Sequence, residues 1–99
     1  MVDEIQTGLG RCGELWACDI YGVRPDILAI GKAFGGGVPI GAVLARSEQL
    51  PAGLAFEPWQ IMTFMNQPLA AAAALAVLDV IEDEGLVERA RRLGAEATA

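Results

Sequence analysis

Histidine is absent from this 99-residue sequence, which also contains only two cysteines and a single lysine. Cys12 and Cys18 are separated by five residues, a spacing that fits neither a zinc site nor a disulfide framework. We therefore expect no bound metal and two reduced thiols. The chain also lacks a charged segment followed by an apolar one near its first residue, which is the pattern of a secretion signal. These features predict a cytoplasmic protein.

Basic residues are scarce, since seven Lys and Arg stand against thirteen Asp and Glu and the net charge is -6. A nucleic-acid surface needs clustered cations, and the one basic cluster, at residues 89–92, alternates with glutamates in the manner of a solvent-exposed helix face. The longest apolar run, at residues 68–78, is too short to span a bilayer. We expect neither a nucleic-acid nor a membrane partner, and one small domain at most.

The apolar pattern predicts a layered α/β unit. Continuous apolar runs at residues 27–30 and 40–45 are typical of strands buried on both faces. Only about nine residues separate the runs, which is too short for a parallel crossover, so we expect antiparallel neighbours. An alanine-rich helix is predicted from Pro68 and an amphipathic helix from Leu86. Too few elements accompany these strands to cover them, so we expect the chain to be part of a larger sheet.

Residues 8–13, GLGRCG, match the G-x-G-x-x-G of dinucleotide-binding loops. That fold also needs a full strand before the loop, a helix that opens at the loop, and an acidic residue at the end of the next strand. Here the nearest acid, Asp26, precedes the next strand, and the helix indicated within residues 14–21 is at most about two turns long. A dinucleotide site is therefore only weakly supported.

Lys32 follows the apolar run at residues 27–30 and precedes three consecutive glycines. A lysine that reaches water from a strand end is one interpretation. The other is a lysine that forms a Schiff base, which requires a partly desolvated amine with little bulk around it. Met1 and Val2 are typical of the last residues of a strand, so Asp3 also follows a strand. Strand ends in an α/β sheet converge on the crevice where ligands bind. A lysine and a carboxylate for the ring nitrogen are what a pyridoxal phosphate enzyme needs, although Asp3 could equally cap a turn.

Two blocks of sequence, DEIQTGLGRCG at residues 3–13 and GKAFGGGVPIGA at residues 31–42, resemble the cofactor-binding core of class III, or ornithine-type, pyridoxal phosphate-dependent aminotransferases. A looser similarity continues through residues 63–94. The resemblance implies a fragment of the fold type I large domain, with α/β/α layers and a mostly parallel sheet containing one antiparallel strand. Residues 1–85 would belong to that domain, and residues 86–99 would form a helix leading toward a small C-terminal domain.

The resemblance also implies roles for five residues. Lys32 would carry the cofactor as a Schiff base and transfer the proton, and Asp3 would pair with the pyridinium nitrogen. Ile5 would pack against the ring and Gln6 would hydrogen-bond near its phenolic oxygen. Thr63 would bind the cofactor phosphate of the neighbouring subunit, which implies a homodimer. The glycines of residues 8–13 would then form a tight turn beside the cofactor.

The reaction implied is the exchange of an amino group between a donor and a 2-oxo acid. Ornithine, acetylornithine, putrescine, 4-aminobutyrate or a similar amine could be the donor. Because family members are several hundred residues long, we expect an incomplete piece of the enzyme that is inactive alone. A non-catalytic truncated remnant or a subunit-association fragment is the alternative. The family usually has Gly-Gly-Asn at residues 65–67, where this chain has Met-Asn-Gln, so the resemblance predicts crowding beside Thr63.

Overall fold

The computed structural model describes residues 1–50 and 62–99. The elements in chain order are β1 (Val2–Asp3), α1 (Ala17–Ile20), β2 (Ile27–Gly31), a first 3₁₀ turn (Lys32–Gly35), β3 (Gly41–Ala45), a second 3₁₀ turn (Ser47–Gln49), α2 (Pro68–Asp83) and α3 (Leu86–Thr98). Both predicted apolar strands and both predicted long helices are confirmed to within one residue at their starts. The sequence indicates a proline-punctuated loop over residues 47–62, of which residues 51–61 lie outside the described residues.

The strands form one sheet in the order β1-β2-β3. β1 runs parallel to β2, with Asp3 opposite Ala29. β2 and β3 are antiparallel, as the short connection predicts, and Gly31 lies opposite Gly41. The carboxyl ends of β1 and β2 therefore lie side by side at one end of the sheet.

The core lies against one face of this sheet. Its buried members are Cys18, Leu28 and Ile30, and Val2, Trp16, Phe34 and Ala42 pack against them. Ile27 and Ala29 of β2 are only half-buried, and most of β3 is exposed, with Val43 at 69% of its full accessibility. The prediction of strands buried on both faces is therefore wrong for the described residues, because these supply a complete cover for only one face.

Glycines allow α2 to approach the chain that follows β2. Gly36 has a φ of 57°, and a Cβ at that position would lie 2.7 Å from Cγ2 of Val77 in α2. Ala70 and Ala74 are the buried side chains of α2. After α2, Gly85 adopts a φ of 59° and lets the chain turn into α3. Within residues 1–50 and 62–99, no helix combines the length and the apolar character that a membrane crossing demands.

Candidate functional site

The chain turns sharply where β1 ends at Asp3. The amide of Glu4 still donates to the carbonyl of Ala29 in β2 at 2.9 Å, and the amide of Gly8 then donates back to the carbonyl of Glu4 at 2.9 Å. We call residues 3–8 the β1 turn. Oδ1 of Asp3 accepts a hydrogen bond from the amide of Ile5 at 2.9 Å. This is the turn-capping contact named above as an alternative role for Asp3, and it orients an exposed carboxylate at the strand end.

Lys32 connects the end of β2 to the β1 turn, because its amine donates a hydrogen bond to Oε1 of Gln6. The backbone of Lys32 has a φ of 46°, one of three positive values among the described non-glycine residues. The left-handed region costs a residue with a Cβ about 1 kcal/mol, and such positions cluster at functional sites. The side chain is exposed rather than partly desolvated, because the described residues do not cover this end of the sheet.

Ile5 completes a group of four predicted site residues at this end of the sheet. A Cβ on Gly31 would lie 3.5 Å from Cγ2 of Ile5, so this side chain lies beside the residue that precedes Lys32. Asp3, Ile5, Gln6 and Lys32, which we call the strand-end cluster, therefore gather where β1 and β2 end. They place a carboxylate, an apolar surface, an amide and an amine at the same exposed end of the sheet.

Thr63 lies in a separate turn at residues 63–66 and is exposed. Among the hydrogen bonds of the described residues, none connects Thr63 to the strand-end cluster. Asn66 in the same turn has a φ of 55°. Glycine adopts this conformation freely and asparagine tolerates it better than most residues do. The turn thus accommodates Asn66 at a position where the family usually has glycine.

Glu4 was not among the predicted site residues, yet only 2% of it is exposed. Its carboxylate accepts hydrogen bonds from the amide of Cys18 at 2.7 Å and from the hydroxyl of Thr7. Burial acts to raise the pKa of Glu4, but the hydrogen bonds from Thr7 and Cys18 outweigh it, and the pKa is lowered. The sequence signal that could have indicated the burial of Glu4 is the alternation of side chains along an extended chain. If Asp3 and Ile5 face the crevice, the side chain of Glu4 between them faces the core.

Both cysteines are free thiols, with Cys12 exposed and Cys18 buried. Burial, together with the neighbouring carboxylate of Glu4, raises the pKa of Cys18. Across residues 1–50 and 62–99, no group of three Cys, Asp or Glu side chains is arranged to hold a metal ion.

The glycine loop contacts α3. Gly10 and Gly13 have φ values of 92° and 85°. A Cβ on Gly10 would lie 2.9 Å from Cγ2 of Val87, and one on Gly13 would lie 3.0 Å from Cα of Arg91. Arg91 also pairs with Glu14 at 2.7 Å. The next helix after the loop, α1, has four residues. The dinucleotide hypothesis is therefore wrong, because this loop opens no long helix and its glycines make room for α3.

Comparison with known proteins shows the family to which the chain belongs. The family model for aminotransferase class III matches residues 1–99. The chain belongs to the class III aminotransferase family.

Curated relatives are identical to the chain at nearly half of the aligned positions. The acetylornithine aminotransferase of Methanothermobacter thermautotrophicus is 47% identical over 95 residues, covering 95% of this chain and 24% of that protein. The leucine/methionine racemase of Thermococcus litoralis is 45% identical over 100 residues, covering 97% of this chain and 21% of that protein. The chain thus spans less than a quarter of the length of these two relatives.

Solved structures of aminotransferases share the fold. The ornithine aminotransferase of Toxoplasma gondii superposes with a TM-score of 0.84 at 47% identity, covering 96% of this chain and 22% of that one. That enzyme contains pyridoxal phosphate at partial occupancy in its active site. The predicted fold class, an α/β fold of the pyridoxal phosphate-dependent transferase type, is confirmed.

Proposed function

We propose that this chain is the part of a longer pyridoxal phosphate-dependent aminotransferase that holds the reactive end of the cofactor. The observation that carries the proposal is the hydrogen bond from Lys32 to Gln6, which joins the ends of β1 and β2 beside Asp3. Ligands of α/β folds bind at this end of the sheet. Membership of the class III family and the small share of each relative that the chain covers support the same proposal.

The side chains of the strand-end cluster fit pyridoxal phosphate by their chemistry. Asp3 offers a carboxylate for the protonated ring nitrogen, and Gln6 offers an amide for the phenolic oxygen. Lys32 offers an amine that can hold the aldehyde carbon covalently. Ile5, which is 36% exposed, offers an apolar surface for one face of the ring. When bound, this cofactor supplies an electron-withdrawing ring that stabilises a carbanion at the α-carbon of an amino acid.

Each residue of the cluster then has a defined task. Once the substrate's amine has taken the place of Lys32 on the aldehyde carbon, the freed Nζ of Lys32 would accept the proton that leaves the substrate's α-carbon and later return a proton as general acid. Gln6 orients that amine through its hydrogen bond. The amide of Ile5 fixes one oxygen of Asp3, so that the carboxylate stays directed at the end of the strand.

The substrates proposed are an amino donor and a 2-oxo acid. Relatives named for acetylornithine and ornithine favour a donor of that kind. Putrescine, 4-aminobutyrate and similar amines remain candidate donors. The leucine/methionine racemase among the relatives makes racemisation the second candidate reaction at the same site. The alternative to an enzyme is a non-catalytic remnant.

We further propose a homodimer in which Thr63 binds the cofactor phosphate of the neighbouring subunit. Phe64 is 80% exposed and Leu69 is 72% exposed, so large apolar side chains surround the turn of Thr63. Exposed apolar surface of this kind is typical of a region that another surface covers. A cytoplasmic location and the absence of nucleic-acid and membrane partners stay predictions from composition.

The test is an assay of the full-length protein with each candidate donor and 2-oxoglutarate. We expect amino transfer in the wild type and a loss of about 10²–10⁴-fold in Lys32→Ala, since it lacks the proton-transferring group. Asp3→Asn should also slow turnover severely. Arg24→Ala, at an exposed position, is the control and should keep its activity.

Three results would contradict the proposal in different ways. Near-normal turnover in Lys32→Ala would remove Lys32 from the chemistry. Interconversion of leucine enantiomers without amino transfer would leave the site in place and change the reaction. A wild type that neither binds pyridoxal phosphate nor catalyses either reaction would favour the non-catalytic remnant.

A further inference from the structure

Glu4 is the one side chain among the described residues that combines large size with essentially complete burial. It lies in the β1 turn between Asp3, the proposed partner of the ring nitrogen, and Ile5. Both neighbours are exposed, whereas Glu4 faces the opposite way, toward the core. The proposed reaction assigns no role to this carboxylate.

The contacts of Glu4 attach the β1 turn to the start of α1. Its carboxylate accepts from the amide of Cys18, at 2.7 Å, across fourteen positions of sequence. It also accepts from the hydroxyl of Thr7 within the same turn. A buried carboxylate is costly unless it is paired or hydrogen-bonded, and an apolar side chain could fill the same space without that cost. The carboxylate of Glu4 therefore specifies the conformation of the β1 turn through its hydrogen bonds, which an apolar side chain filling the same space could not do.

The β1 turn has little room to adjust on its inner side. A Cβ on Gly8 would lie 2.7 Å from the carbonyl oxygen of Glu4 and 3.1 Å from the ring of Trp16. The backbone of Glu4 is held as well, by the amide bond to Ala29 at 2.9 Å. Side chain and backbone of one residue thus fix the turn against both β2 and α1.

We propose that Glu4 is a positioning residue that sets the orientation of Asp3 and Gln6 toward the cofactor. This inference rests on the proposed function, because it assumes that those two side chains contact pyridoxal phosphate. Asp3 immediately precedes Glu4, and Gln6 follows two positions later. A shift of the β1 turn would therefore move both polar groups relative to Lys32.

The experiment uses the full-length protein and three measurements on each variant. These are the dissociation constant for pyridoxal phosphate, the visible circular dichroism of the bound cofactor at saturation, and the melting temperature without cofactor. The visible signal depends on how the ring is held, so a purely structural role for Glu4 would not change it. The variants are Glu4→Ala, Glu4→Gln and Thr7→Val.

Two controls separate positioning from stability and charge. Ala74→Gly removes a methyl group from a buried helical position in α2, away from the β1 turn, and should lower the melting temperature alone. Glu96→Gln removes one exposed carboxylate near the end of α3 and should change none of the three measurements.

We expect Glu4→Ala to bind pyridoxal phosphate about tenfold more weakly and to lose visible dichroism at saturation, because loosened supporting contacts misplace the groups they hold. Glu4→Gln keeps one acceptor oxygen and should recover part of both signals. If Glu4→Ala fails to fold, Thr7→Val decides the question, because it removes the hydrogen bond to Glu4 while preserving the shape of the side chain. We expect Thr7→Val to bind pyridoxal phosphate about threefold more weakly.

Wild-type affinity and dichroism in the folded Glu4 and Thr7 variants would overturn the positioning role while leaving the proposed function intact. The positioning role would also be overturned if Glu4→Ala lost no more affinity and visible dichroism than Ala74→Gly does when the two variants have the same melting temperature. A wild type without saturable binding of pyridoxal phosphate would overturn the proposed function, and this inference with it.

Discussion

The amine of Lys32 donates a hydrogen bond to the side-chain oxygen of Gln6, which lies twenty-six positions earlier in the chain. The contact forms because β1 and β2 are parallel neighbours whose carboxyl ends meet at one end of the sheet. It joins the residue proposed to carry the cofactor to a residue proposed to orient it. The site is therefore a product of sheet topology, and local sequence alone does not bring its parts together.

The backbone of Lys32 should be strained, and substitution can measure the strain. With a φ of 46°, alanine at this position keeps the penalty of a Cβ in the left-handed region, whereas glycine removes it. We expect Lys32→Gly to be more stable than Lys32→Ala by about 1 kcal/mol. Urea unfolding of the two variants without cofactor gives the difference directly. Equal stabilities would show that the left-handed conformation at Lys32 carries no cost.

Glu4 should make the stability of the protein depend on pH in acid. Its pKa is lowered in the folded state, so its contribution is fully present above the pKa of an unfolded glutamate, about 4.3, and is lost as the pH falls toward the folded pKa. We expect the melting temperature of the wild type to exceed that of Glu4→Gln most at pH 7. The gap should narrow as the pH falls below about 4.3.

The control for this titration is Ala74→Gly, which changes no ionisable group and should show no such narrowing. A gap between wild type and Glu4→Gln that stays constant from pH 7 to pH 3 would argue against a lowered pKa at Glu4.

The two thiols should differ in reactivity. Cys12 is exposed, whereas Cys18 is buried and has a raised pKa. Because the thiolate is the reactive species, iodoacetamide at neutral pH should modify Cys12 and spare Cys18 until urea unfolds the protein. Peptide mapping after timed quenching measures both rates. Equal rates in the native protein would contradict the burial of Cys18.

The proposed sharing of each active site between two subunits predicts complementation between inactive subunits. Lys32→Ala and Thr63→Val should each have low activity alone. Random pairing on co-expression makes half of the dimers mixed, each with one intact site, so about a quarter of wild-type activity should return. Lys32→Ala with Asp3→Asn is the matched control, because two residues of one subunit's cluster cannot complement each other. No recovery in the test pair would place Thr63 outside a shared site, and recovery in the control pair would show that Lys32 and Asp3 do not act in the site of one subunit.

Much of the fold could be read from local pattern. The apolar runs before Lys32 and Arg46 predicted β2 and β3, and the short connection between them predicted that they are antiparallel. Pro68 marked where α2 begins, and the amphipathic pattern from Leu86 marked the start of α3. These signals are reliable because hydrophobic period, proline and glycine act within a few residues.

Contacts between residues distant in the sequence could not be predicted from local pattern. The ion pair between Glu14 and Arg91 spans seventy-seven positions, so nothing near Gly13 indicated that its missing side chain makes room for α3. Alternation could indicate that Glu4 faces inward, but it could not indicate the hydrogen bond to Cys18, which belongs to another element. The exposure of Lys32 also differs from the partly desolvated amine expected from its chemistry, because covering surface is absent from the described residues.

The most direct test of the central claim asks whether Lys32 itself bonds to the cofactor. The full-length protein is incubated with pyridoxal phosphate, reduced with borohydride to make any bond between aldehyde and amine permanent, and mapped by peptide mass, with a urea-unfolded sample in parallel. We predict labelling at Lys32 in the native sample well above that in urea, since only the fold places this amine beside Gln6, at the end of the sheet where Asp3 lies. Equal labelling of Lys32 in both samples would contradict the account and leave it an ordinary exposed lysine.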